Sequence, residues 1–190
     1  MRKILIGAVL TASFLTTQTI ASDMYVGLDT IGSGNTFTVD VNSLGSGNVD
    51  DDSKAFKLKV GSVSNNGWRY QAYYLRETYD TPVFDASNDV LNEVGFDIIK
   101  SFEVTPEFSP FIQAGLGLGW MNVVGYSEDS IRAYSLKVGG GVMYKVVPQV
   151  ELVAGVDFQY RGWQDINAGS YTISTSEKST KLYAGINYHF

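Results

Sequence analysis

Leu182-Tyr183-Ala184-Gly185-Ile186-Asn187-Tyr188-His189-Phe190 alternates strictly between two faces. Leu182, Ala184, Ile186, Tyr188 and Phe190 share one; Tyr183, Gly185, Asn187 and His189 share the other. A period of two belongs to a β-strand, whose successive side chains point to opposite sides. The unbroken apolar face must meet a core or lipid.

The same design recurs upstream. Val150, Leu152, Ala154, Val156, Phe158 and Tyr160 oppose Glu151, Val153, Gly155, Asp157 and Gln159, with Arg161 next in line. Tyr134, Leu136, Val138, Gly140, Val142 and Tyr144 oppose Ser135, Lys137, Gly139, Gly141 and Met143, while Ile112, Ala114, Leu116, Leu118 and Trp120 oppose Gln113, Gly115, Gly117 and Gly119. Val94, Phe96 and Ile98 alternate with Glu93, Gly95, Asp97 and Ile99. Trp68, Tyr70, Ala72 and Tyr74 alternate with Arg69, Gln71, Tyr73 and Leu75, and Phe56, Leu58 and Val60 with Lys57, Lys59 and Gly61. A first strand, the weakest by pattern, runs over about residues 24–31.

The connections alternate in length. Ser64-Asn65-Asn66-Gly67, Val104-Thr105-Pro106-Glu107 and Val146-Val147-Pro148-Gln149 are short, with glycine or proline where a turn wants them. Residues 32–52, 80–88, 125–130 and 162–176 read as longer polar loops. Short turns on one rim and long loops on the other are the plan of an outer-membrane barrel. The expected fold is all-β: an eight-stranded antiparallel up-and-down transmembrane β-barrel over residues 23–190. An even strand number places both termini on one rim, expected to be periplasmic.

Residues 1–22 read as a secretory signal. Arg2 and Lys3 precede an apolar stretch at residues 4–15, and Ile20-Ala21-Ser22 allows cleavage after Ala21 or Ser22. The stretch is too short for a membrane-spanning helix, which needs about 20 apolar residues. The chain carries 14 Lys and Arg against 20 Asp and Glu, and losing the signal makes it more acidic still. That balance argues against nucleic acid as a partner. With no cysteine, the exported protein has neither disulfides nor thiol chemistry.

A soluble eight-stranded ligand carrier would alternate equally well. It would need an apolar interior and a wettable exterior, and then Gly115, Gly117, Gly119, Gly139, Gly141, Gly155 and Gly185 would lie on the exposed face, where glycine only weakens a strand. In a narrow lumen the same glycines make room for long neighbours. Two aromatic groups, Trp68, Tyr70, Tyr144, Tyr188 and Phe190 near one rim and Tyr74, Trp120, Tyr134, Tyr160 and Trp163 near the other, suit two lipid interfaces. Lipid therefore meets the apolar face.

The last strand resembles the terminal strand of outer-membrane barrels. There a final aromatic and alternating apolar residues, here Leu182, Ala184, Ile186, Tyr188 and Phe190, are read by the barrel-assembly machinery. Ser109-Pro110-Phe111-Ile112-Gln113-Ala114-Gly115-Leu116-Gly117 and Val138-Gly139-Gly140-Gly141-Val142-Met143-Tyr144 are similar to strands of the small opacity-type, porin-like barrel family. The resemblance implies a bacterial outer-membrane location, with lipid and lipopolysaccharide as surroundings. Its members differ mainly in their loops, so it implies little about activity. The anchoring role of longer relatives with a peptidoglycan-binding domain is not carried over.

Lys57, Lys59, Arg69, Lys137 and Arg161, with Glu93, Asp97, Glu151 and Asp157, form the expected lumen charge network. An unpaired buried charge costs several kcal/mol, so about equal numbers of opposite sign should pair and close the interior. No catalytic set, metal site or cofactor is expected. The one histidine, His189, lies at the periplasmic end, away from where a lipid- or peptide-cleaving enzyme would act. Asp50-Asp51-Asp52 lacks the spacing of a calcium loop and reads as solvated. The expected role is non-enzymatic, structural or surface-binding, with any ligand taken by residues 32–52 and 162–176. A narrow or gated small-solute channel is the alternative, and a lipid-modifying enzyme comes third.

Overall fold

The computed structural model describes residues 23–41, 45–84, 88–123, 130–168 and 171–190. The expected signal segment, 1–22, and most of the loop at 125–130 lie outside them. The described strands are β1 (Asp23–Val41), β2 (Gly45–Val63), β3 (Trp68–Tyr79), β4 (Val90–Ser101), β5 (Phe108–Asn122), β6 (Ser130–Val147), β7 (Val150–Trp163), β8 (Ile166–Ala168) and β9 (Tyr171–His189). All except β8 pair antiparallel with their neighbours in chain order around a ring, and β9 closes on β1. β8 prolongs the line of β7 along β9: the register steps from Gly162↔Ser176 to Ile166↔Ile173, four residues against three, which is a bulge. The fold is an eight-stranded antiparallel β-barrel.

Local chemistry sets the short turns. Gly67 has φ +78°, a conformation that favours glycine, and its N–H donates to Ser64 O while Ser64 N–H donates to Trp68 O. At the β6–β7 turn Pro148 has no N–H to give a ladder, and the register shifts between Lys145 and Val147.

Side chains divide by parity. Leu116, Leu118, Leu136, Val138, Phe158 and Leu182 are exposed on the outer wall, as are Tyr188 and Phe190. Asp29, Lys57, Asp97 and Arg161 are buried inside. An apolar outside around a charged inside is the inverse of a soluble carrier.

Three expectations need correction. Residues 32–41 and 45–52 are strand and not loop: β1 and β2 run on in unbroken register to Val41↔Gly45, each 19 residues long. Thr36-Phe37-Thr38-Val39 carries strand-forming residues, and Thr36 and Thr38 hydroxyls donate across the pair to Asp50 and Asn48. Much of 162–176 is also strand, since β9 begins at Tyr171. Trp163 does not join the outer aromatic girdle, because it shares the parity of Arg161 and is buried inside.

A transmembrane strand needs about 9–11 residues. β1, β2 and β9 therefore rise well beyond the ring on the rim opposite the termini, with β1 paired to β9 as far as Val41↔Ile173. This projecting sheet has the order β2-β1-β9-β8.

Candidate functional site

The lumen holds the chain's densest chemistry. The packing that admits it follows one rule: bulky inward residues sit opposite glycine. Asp29 pairs in register with Gly185, Asp97 with Gly115 and Asp157 with Gly139. Tyr25 faces Gly61, Tyr73 faces Gly95 and Tyr183 faces Gly155. A Cβ added at Gly115, Gly139 or Gly185 would run into the aspartate opposite.

Near the termini, Arg69 donates two hydrogen bonds to Glu151, at 2.7 and 2.9 Å, in the fork geometry suited to a carboxylate. Asn187 donates to the same carboxylate at 2.8 Å. Lys57 and Lys59 share Asp29, at 3.1 and 2.5 Å. Lys137 meets Asp97 at 2.9 Å and lies 4.0 Å from the Tyr73 ring centroid. Gln71 donates to Asp97, and Tyr25 donates to Gln71. Asp157 takes its hydrogen bond from the Gln113 amide.

Toward the far rim, Arg161 is 0% exposed and lies between three carboxylates. Its guanidinium reaches Glu77 at 3.1 Å, Glu93 at 3.1 Å and Glu177 at 2.8 Å. Lys181 adds a second cation to Glu77 at 2.7 Å. Tyr73 donates to Glu93, Ser53 to Glu77, and Arg161 to the Tyr79 hydroxyl. An apolar cluster lies beyond this layer: Phe37, Tyr79, Leu91, Met121, Val123, Ile131, Trp163 and Ile166, with Val83 and Phe84 packed on it. The rings of Phe84 and Trp163 are 4.9 Å apart.

All nine charged residues singled out in the sequence are thus buried in the lumen, and eight form ion pairs. Asp29, Glu77, Glu177 and Lys181 were missed as network members. Glu177 and Lys181 lie on the inward parity of β9, and continuing the alternation of Leu182–Phe190 backwards would have found them. Glu77 follows in the same way from Tyr73 and Leu75.

The arrangement pairs charge across the bore, and His189 lies at its edge. His189 Nε2 is 3.6 Å from Glu151, a carboxylate already held by Arg69, and its ring packs 5.4 Å from Tyr25. Among the described residues, no three acidic, histidine or cysteine side chains converge as metal ligands. Asp50 accepts from Thr36 and Asp51 from the Thr81 N–H, on alternating faces of β2.

No protein-family model and no curated protein matches the sequence. Solved structures do. Neisserial surface protein A superposes with a TM-score of 0.61 at 25% identity, over 88% of this chain and 97% of that one. The outer membrane protein OprG of Pseudomonas aeruginosa superposes at 0.57 with 11% identity, over 89% and 96%, a likeness of fold alone. With its apolar belt outside, its charges inside and these neighbours, the chain is an eight-stranded transmembrane β-barrel of the bacterial outer membrane.

Proposed function

We propose that this protein is a non-enzymatic outer-membrane barrel whose work is done by the surface it presents at the rim opposite its termini. The termini lie in the periplasm, and the projecting β2-β1-β9-β8 sheet stands outside the cell. The observation that carries this reading is the contrast between a filled lumen and an extended rim. Arg161, with three carboxylates around it, blocks the bore, and the Trp163 cluster covers it. A channel would need that layer to separate, giving up the ion pairs that Arg161 makes with Glu77, Glu93 and Glu177. Eight strands leave room for side chains and not for an aqueous pore. The likeness to a Neisserial surface protein supports a surface role.

The test is a pair of measurements on the full chain expressed in a Gram-negative host. Fractionation should place it in the outer membrane, with migration on gels that changes on heating. The purified monomer in planar bilayers should give no large, stable conductance. An open, ohmic pore of steady conductance would overturn the closed-barrel reading in favour of a small-solute channel.

A further inference from the structure

The ladder between β2 and β3 stops for a reason written in the sequence. Ser53↔Tyr79 is the last register pair, and Asp80 N–H still donates to Asp52 O one step further. The next hydrogen-bonded position on β2 is Asp50, and in that register it faces residue 82. Residue 82 is proline, which has no N–H to donate. The chain then turns inward, where Val83 and Phe84 pack against the Trp163 cluster.

β2 nevertheless continues as strand to Gly45, paired on its other side with β1. In a strand the N–H and C=O of one residue point the same way, and the direction alternates along the chain. Asp52 O points toward β3, so Asp50, Asn48 and Ser46 direct theirs to that side too. Among the described residues no strand lies there. Three residues thus offer an N–H and a C=O each in ladder geometry, an open edge able to accept another strand.

Charge decides what can occupy it. Asp50 and Asp52 are exposed on one face of this edge, Asp51 is half-buried on the other, and exposed Asp80 lies beside them. Lys54 is the nearest cation on the strand. A second copy is a poor partner. Two barrels in one membrane stand the same way up, so their β2 edges would meet side by side at equal height, with Asp50 and Asp52 of one beside those of the other. Like charges directly across a strand pair are destabilising.

We propose that the free edge of β2 at Ser46, Asn48 and Asp50 receives an extended, lysine- or arginine-bearing polypeptide segment as an added strand. Main-chain hydrogen bonds supply the affinity, and Asp50, Asp52 and Asp80 select for positive side chains. This inference rests on the surface-binding reading above and gives it a site and a ligand class.

The test uses purified, folded full-length barrel in detergent micelles and two fluorescent decapeptides, acetyl-(Lys-Thr)5-amide and acetyl-(Glu-Thr)5-amide. The lysine peptide should bind saturably and more weakly as salt rises; the glutamate peptide should bind at least about tenfold more weakly. Asn48→Pro removes one free-edge N–H and keeps every main-chain bond to β1, losing besides only the Thr38 hydroxyl's bond to the Asn48 side chain. It should lower affinity by about tenfold while the heat-dependent gel shift is kept, whereas Asn48→Ala, which loses that side-chain bond and keeps the N–H, should bind like wild type. A lysine peptide N-methylated at alternate residues should likewise bind the wild-type barrel about tenfold more weakly. Equal binding of the two charge types, unchanged affinity in a folded Asn48→Pro barrel, or unchanged affinity of the N-methylated peptide would overturn the proposal. Orientation is read separately. The chain has no cysteine, so Ser46→Cys carries a single thiol. Its labelling by an impermeant reagent on intact cells places this rim outside. Its protection there would overturn the outward orientation while leaving the purified-protein result to stand or fall alone.

Discussion

Arg161 has the most charged contacts in the lumen, and its three carboxylate partners come from β3, β4 and β9. A lone buried guanidinium would be untenable; surrounded in this way it ties four strands together. Replacing it with methionine keeps much of the volume and leaves Glu77, Glu93 and Glu177 with Lys181 as the remaining cation of that layer. Arg161→Met should therefore destabilise the barrel by about 3–5 kcal/mol, read as a lower urea midpoint in micelles. Arg161→Lys should recover part of the loss, because an ammonium keeps the charge but not the fork. Gly139 makes a complementary case, as Asp157 occupies the space its side chain would need. Gly139→Val should destabilise by about 1–3 kcal/mol through overpacking, measured in the same way.

At the scale of elements, the strands differ in what stops them. The β2–β3 turn depends on Gly67, whose positive φ strains any L side chain and whose Cβ would lie 2.7 Å from Ser101 O. Gly67→Ala should cost about 1 kcal/mol or more and raise hydrogen exchange locally at the amides of Ser64 and residue 67. The β3–β4 connection stops its ladder at Pro82, while β1 and β2 have no such breaker and run on to Val41 and Gly45. Residues 32–52 read as a loop because they are polar and rich in glycine, serine, asparagine and threonine. That composition weakens a strand on its own but is tolerated once a partner in register supplies hydrogen bonds and cross-strand contacts.

For the whole molecule, the outer wall is a solvent boundary. Leu116, 56% exposed in the middle of β5, would face lipid tails, where a guanidinium loses its hydration. Leu116→Arg should destabilise the barrel by about 2–4 kcal/mol in phospholipid bilayers, by unfolding titration, and by distinctly less in micelles that deform around the charge.

Alternation is a local property, and it made the outer face legible before any contact was known. Leu182, Ala184, Ile186, Tyr188 and Phe190 share one side of β9 because a strand's geometry allows nothing else. The three short turns were legible for the same reason, since glycine and proline act on their own dihedral angles. Pairing across the bore is not local. Arg161 meets Glu77 and Glu93 from strands 84 and 68 residues away, and only ring closure brings them within reach. Lys57 and Lys59 share Asp29 on a neighbouring strand, and Asp157 is held by an amide. Neither choice follows from composition, because every inward charge has several candidate partners and the register selects among them. The sequence by itself determined an alternating chain with one apolar face and turns at set places. Tertiary structure alone decided how far β1, β2 and β9 extend and which charges meet, because both depend on partners distant along the chain.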